Sequence, residues 1–292
     1  MTLLAVELKE STKLIHAEAG RSKFMKYFFK GEVTPQTYGQ FLVSLYQVYD
    51  ALEKALEDHR DNAQLALIYF PEELSRKKPL EEDLEFFNGP EWRQLLTPIS
   101  PAQQKYIDTI HACSTSLHPE RLIAHSYVRY LGDLSGGQVL AKRLQKYNNL
   151  PEDKGVSFYH FALIEDTDQF KEMFRKRLNQ VEVEDEVRKM IVEEAMEAFL
   201  RNIEIFEEFD SQLEGLPLTK REQQQHLAIL AKEKAELAAA KIQEKESQKQ
   251  DVASNNNTSA GFLAFLSPSN LWNSLQGAVR YPVEQRAEHV DA

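Results

Sequence analysis

The stretch Tyr130-Leu131-Gly132-Asp133-Leu134-Ser135-Gly136-Gly137-Gln138 breaks what would otherwise be one long helical run. Leu122, Ile123 and Tyr127 precede it and Val139, Leu140 and Leu144 follow it, all at helical spacing. Three glycines within six positions destabilise a helix by about 1 kcal/mol each relative to alanine, so something should compensate. Glycines let a helix kink and lie flat against a ligand where any side chain would clash. They also serve close helix packing, or a loop between two helices. Spacing alone divides these readings evenly.

Outward from this stretch the pattern stays helical. Thr34-Pro35 is a good N-cap followed by a first-turn proline, and Tyr38, Phe41, Leu42, Leu45, Val48, Tyr49, Leu52 and Leu56 then mark one apolar face. Ser100-Pro101 starts a second such segment, and Val187, Ile191, Ala195, Phe199, Ile203 and Phe206 mark a third. Sustained strand alternation is absent, so the expected fold is a single all-α domain with short connections over residues 1–216. Residues 217–250 are rich in Ala, Glu, Lys and Gln and read as a charged helical extension. Residues 251–292 begin with the polar linker Asp251 to Ser259. They end in a weakly amphipathic tail (Leu271, Trp272, Leu275, Ala278, Val279) suited to its own domain, a partner or a membrane interface.

Of the 292 residues, 42% are hydrophobic and 10% aromatic, enough for a sizeable core. The net charge of -11 argues against nucleic-acid binding, which needs a basic surface. Cys113 is the sole cysteine, which excludes an internal disulfide and a zinc site of several thiolates and fits a reducing, cytoplasmic setting. Glu7, Lys9 and Glu10 interrupt any secretory signal. The apolar run Gly261 to Leu266 is cut short by Pro268 and Asn270, well below the roughly 18 residues of a membrane span.

A second unusual position is His16, late in an N-terminal helix whose apolar side carries Leu4, Leu8 and Ile15. A neutral imidazole can ligate iron, and Lys13 and Lys9, one and two turns earlier, could meet carboxylates of a ligand. Taken alone, a histidine flanked by lysines is more often a surface or capping residue.

Together with Tyr69-Phe70-Pro71-Glu72-Glu73-Leu74 and Ala198-Phe199-Leu200-Arg201-Asn202-Ile203, these segments resemble the eukaryotic heme oxygenase family. The resemblance covers roughly residues 3 to 212, and the Tyr130 to Gln138 string is its most specific mark. It implies heme b, both cofactor and substrate, held between a proximal helix and a kinked distal helix. His16 would be the iron ligand, and Gly132, Gly136 and Gly137 would form the distal helix, leaving one face of the iron to O2. Asp133 would order the water that delivers protons, supported by Tyr49, Tyr127, Arg129 and Asn202. Lys9, Lys13, Tyr127, Lys171 and Arg175 would hold the heme propionates, and Met25, Phe28, Phe199 and Phe206 would wall the pocket.

The implied products are biliverdin, CO and ferrous iron, with cleavage at the alpha-meso carbon. Electrons would come from NADPH through a flavoprotein of the NADPH–cytochrome P450 reductase type, with Lys142 and Arg177 as docking positions and biliverdin reductase as a further partner. Peripheral contact with the endoplasmic reticulum through the tail is compatible with this. One departure stands out: the family often carries a glutamate four residues after the proximal histidine, and Gly20 stands there. The resemblance therefore does not supply the usual acceptor for the imidazole N–H. His125 is expected to make a structural hydrogen bond. Two other functions compete: a noncatalytic heme sensor or carrier, and a helical interaction protein that binds no heme.

Overall fold

The computed structural model describes residues 2–152 and 154–212. The expected boundary at 216 and the segments 217–250 and 251–292 lie outside the described residues. Within them the chain is all-α, without a strand: α1 (Leu4–Ala19), α2 (Lys23–Lys30), α3 (Pro35–Asp58), α4 (Pro71–Leu74), α5 (Lys77–Asn88), α6 (Pro101–Ser114), α7 (Leu122–Gly132), α8 (Gln138–Asn148), α9 (Thr167–Leu178) and α10 (Asp185–Gln212). None of these helices is long and apolar enough to cross a membrane.

The helix starts follow local chemistry. Thr34 accepts the Thr37 N–H at 3.1 Å ahead of Pro35. Ser100 and Gln103 form a reciprocal capping box ahead of α6. Buried on almost every turn, α3 is the axis of the fold and packs against α5, α6 and α7. Along the opposite side α10 runs beside α1, α7, α6 and α2. Two carboxylates of α10 hold the N-termini of other helices, where backbone N–H groups lack intrahelical partners. Glu208 accepts from Ala102 N–H at 2.8 Å at the start of α6. Asp210 accepts from the N–H groups of Lys23 (3.0 Å) and Phe24 at the start of α2.

The glycine stretch is neither a loop nor a plain helix. Asp133–Gly137 form a π turn that joins α7 to α8, so residues 122–148 make one continuous, bent path. Such turns are uncommon and carry one extra residue per turn.

Connections are not uniformly short. Among the described residues between α8 and α9 there is no α-helix, only a short 3-10 turn at Ser157–Tyr159. A buried irregular segment must find partners for its backbone groups. Here two buried charges supply them. Asp83 accepts from the N–H of Ser157 (2.9 Å) and Phe158 (2.8 Å). Arg76 donates to the carbonyls of Phe158 (3.2 Å) and His160 (2.8 Å), with its guanidinium 3.8 Å over the Phe161 ring. The helix before this connection was legible from Val139, Leu140 and Leu144; the connection's anchors, more than seventy residues upstream, were not.

Candidate active site

A cleft of about 280 Å³ opens between α1, α2, the π turn and α10, lined mostly by carbon. From α1 it receives His16, Ala19 and Gly20; from α2, Met25 and Phe29; from α10, Phe199, Asn202 and Phe206. Gly132, Asp133, Gly136 and Gly137 form its other face, and Phe158 and Tyr159 close the back. A larger cleft of about 780 Å³ lies on the far side of Gln138 and Tyr159, lined by Glu72, Glu82, Lys78, Lys142 and other charged groups. That mixed charge suits water, whereas the smaller cleft suits a flat apolar ligand.

The imidazole of His16 is presented near the end of α1, its ring 5.5 Å from that of Phe199 and edge-on to it. Leu4, Leu8, Thr12 and Ala19 bury one stripe of α1, and His16, one turn after Thr12, stands at the edge of that stripe beside the cleft. Across the cleft, a Cβ built on Gly132 or Gly136 would meet nothing within 4 Å, so bare backbone faces open space there. Gly137 differs: its Cβ would stand 2.8 Å from Cδ1 of Tyr159. Two glycines thus expose backbone, and the third admits a buried tyrosine.

The polar side chains form one network. The Tyr49 hydroxyl donates to Asp133, and Arg129 Nε donates to that hydroxyl at 3.2 Å. Arg129 also donates to Asn202 Oδ1 and approaches Asp133 at 3.9 Å. Asn202 Nδ2 donates to the Ala198 carbonyl at 2.8 Å and to Tyr106 Oη at 3.4 Å. Burial raises the Asp133 pKa, while Arg129 and the Tyr49 hydroxyl pull it back down. The same burial pushes the Tyr49 phenol well above its ordinary value, so it stays a donor.

The structure separates two expected members from these groups. Tyr127 lies away from the Asp133 network; its hydroxyl pairs with Thr12 of α1, near Arg175. Phe28 is not a wall of the cleft. It is 1% exposed and packs on Phe24 and Tyr38 in the core. The wall is Phe29, one residue on, because Met25 and Phe29 share one face of α2 while Phe24 and Phe28 share the other. Lys9 and Lys13 are exposed on α1, and Lys171 and Arg175 stand on α9, which packs against α1 and the π turn. Lys171 is paired with Asp168 at 2.7 Å.

Sequence reading missed Phe158 and Tyr159 as lining residues, along with Arg76, Asp83 and Gln138 that hold them. At Gly20 a Cβ would meet only backbone oxygens at 3.7 and 3.9 Å, so no steric demand calls for glycine. His125 is fully buried, its Nε2 2.9 Å from Glu194 Oε1 and 3.7 Å from Cys113 Sγ. Arg121 completes that carboxylate at 3.0 Å, so the pair serves as an internal tie between α7 and α10.

Comparison with known proteins places these features together. The family model described as heme oxygenase matches residues 2–208. Heme oxygenase 1 of Homo sapiens is 44% identical over 211 residues, covering 72% of this chain and 73% of its own. The crystal structure of heme oxygenase-1 from the cyanobacterium Synechocystis, in complex with heme, superposes with a TM-score of 0.69 at 42% identity, covering 73% of this chain and 94% of that one. Heme oxygenase from Leptospira interrogans gives a TM-score of 0.68 at 44% identity, over 71% of this chain and all of the other.

Proposed function

This chain belongs to the heme oxygenase family, and from that premise we propose that His16 is the residue that would ligate the heme iron and Asp133 its proton-delivering carboxylate. The activity is oxidative cleavage of heme to biliverdin, CO and ferrous iron, with O2 and electrons from outside the chain. Heme is substrate and cofactor at once: its iron activates O2, and its own ring is oxidised.

One observation carries the residue assignment. The imidazole of His16 and the bare backbone of Gly132 and Gly136 line one apolar cleft. That arrangement fits a flat macrocycle whose metal needs one nitrogen donor and one open side. Gly132 and Gly136 supply no competing ligand on the open side. Met25, Phe29, Phe199 and Phe206, which line the cleft, would pack against the macrocycle and exclude bulk water from it.

Asp133 is oriented by the Tyr49 hydroxyl, which is itself fixed by Arg129 Nε. So held, the carboxylate would order a water at the glycine face of the cleft and hold a proton there for the oxygen chemistry that heme supplies when bound. Arg129 and Asn202 keep that carboxylate in place and belong to the positioning shell rather than to proton transfer. Lys9 and Lys13 on α1, Lys171 and Arg175 on α9, and Tyr127, whose hydroxyl pairs with Thr12 near Arg175, suit the propionates by charge and hydrogen bonding. A flavoprotein of the NADPH–cytochrome P450 reductase type is the proposed electron donor, with exposed Lys142 and Arg177 as docking positions and biliverdin reductase as a product-accepting partner.

The test adds heme, then reductase and NADPH under air, while the absorption spectrum is recorded. Loss of the heme band with biliverdin and CO appearing is expected. A stable ferrous–O2 spectrum that never progresses would instead establish a heme carrier. In His16→Ala, turnover should vanish and return on addition of imidazole; undiminished turnover would refute the ligand assignment.

A further inference from the structure

Gln138 ends the glycine stretch and has no part in the chemistry described so far. Its side-chain Nε2 donates to two carbonyls at once, that of Asp133 at 3.2 Å and that of Tyr159 at 2.8 Å. A carboxamide nitrogen carries two hydrogens, so both donors are spent on these bonds. The two carbonyls belong to very different parts of the fold. Asp133 opens the π turn, whose wider ladder leaves its backbone less tightly held than an α-helix would. Tyr159 belongs to the irregular connection that Arg76 and Asp83 clamp through four backbone groups.

We infer that Gln138 is a positioning residue: by tying the π turn to the clamped connection, it fixes where Asp133 and the bare backbone of Gly136 stand over heme. The Asp133 side chain is held from one direction by Tyr49. Its main chain is held from the other by Gln138. Gln138 and Tyr159 also separate the apolar cleft from the larger charged one, since Tyr159 lines both. Without the amide, water from the charged cleft is the competing donor for the two carbonyls. The turn then loses its fixed register, and the oxygen side of the cleft loses its single shape.

This inference rests on the heme oxygenase reading, and the experiment keeps the two apart. Q138M keeps the length and removes the donors; Q138E keeps the shape and turns donors into acceptors at neutral pH. Each is compared with the wild-type protein in three ways. Amide hydrogen exchange of residues 133–138 in the heme-free protein should quicken about tenfold, the scale of one or two lost net hydrogen bonds. The ferric heme complex should bind heme within about threefold of wild type, because the His16 side is untouched. The pH midpoint between its acid and alkaline spectra should nevertheless shift. Biliverdin should change from one isomer to a mixture.

Variants that bind heme with wild-type exchange, midpoint and isomer pattern would overturn the inference while leaving the heme oxygenase reading intact. A wild-type protein that makes no biliverdin would overturn that reading, and exchange in the heme-free protein would still judge the tie. Should Q138M and Q138E both fail to fold, Q138N, one methylene shorter, provides the same comparison.

Discussion

Replacing Gly137 by alanine would put a methyl carbon 2.8 Å from Cδ1 and 3.1 Å from Cε1 of Tyr159. Real contacts of that kind are nearer 3.5 to 4.0 Å. Tyr159 is 4% exposed and stands on the clamped connection, so it has little room to retreat. Overpacking of this sort destabilises by about 1–3 kcal/mol, against which alanine regains about 1 kcal/mol of helix propensity. Gly132 has the same helical backbone, yet its Cβ would meet nothing within 4 Å. Gly132→Ala should therefore gain the propensity term without the clash.

The measurable quantity is the contrast between the two. Heme-free Gly137→Ala should unfold about 2–12 °C below Gly132→Ala, taking about 2–4 °C per kcal/mol for a domain of this size. Function should follow the opposite order in one respect. The Gly132 methyl projects into the cleft, so it should disturb heme turnover in a protein that is at least as stable as wild type. Thermal unfolding by circular dichroism and a biliverdin assay suffice. If heme-free Gly137→Ala proves as stable as Gly132→Ala, the division of the glycines into exposed and packed roles is wrong.

Gly20 has φ of -68°, a conformation open to any residue, so Gly20→Ala should raise stability by about 0.5–1 kcal/mol in chemical denaturation. Unchanged or lower stability would show a constraint at that position that its backbone does not reveal. Burial raises the Glu53 pKa to about 7, although the Arg76 N–H that it accepts pulls the other way. The folded state then holds a proton that the unfolded state releases between about pH 4.5 and 7, so this contribution to stability is lost as pH rises through that window. Glu53→Gln keeps an acceptor for Arg76 and should flatten the profile, gaining about 1–3 kcal/mol at pH 8; parallel melting curves from pH 5 to 8 would count against it. Lys171→Ala and Arg175→Ala should each weaken heme binding by about two- to fivefold at low salt and less at high salt. A salt-independent change would place them away from the propionates.

Elements with their own local signals were legible in the amino-acid sequence. Thr34-Pro35 and Ser100-Pro101 announce α3 and α6, because a side chain next to a helix start satisfies that start's own N–H groups. The bend at Asp133–Gly137 was legible as an anomaly, since its glycines conflict with the helical residues on both sides. Residues whose role depends on distant partners were not. Phe158 and Tyr159 reach the cleft only because Arg76 and Asp83 shape their backbone, and neither charge differs in sequence from a solvated one. For Phe28 and Phe29 the information was present but ambiguous. Adjacent aromatics on a helix point about 100° apart, and only the pairing of Met25 with Phe29 shows which one meets the cleft.

The grip of Asp210 on the start of α2 sets a lower limit on how far the chain can be trimmed. A protein cut after residue 208 would keep everything that the family model matches and lose that carboxylate. Ser22 would still cap Met25, but the N–H groups of Lys23 and Phe24 would be left to solvent. The helix that frays first is then the one carrying Met25 and Phe29. Proteolytic nicking just beyond α10's last aromatic, Phe209, would loosen the edge of the cleft from the outside, without touching a single residue that lines it.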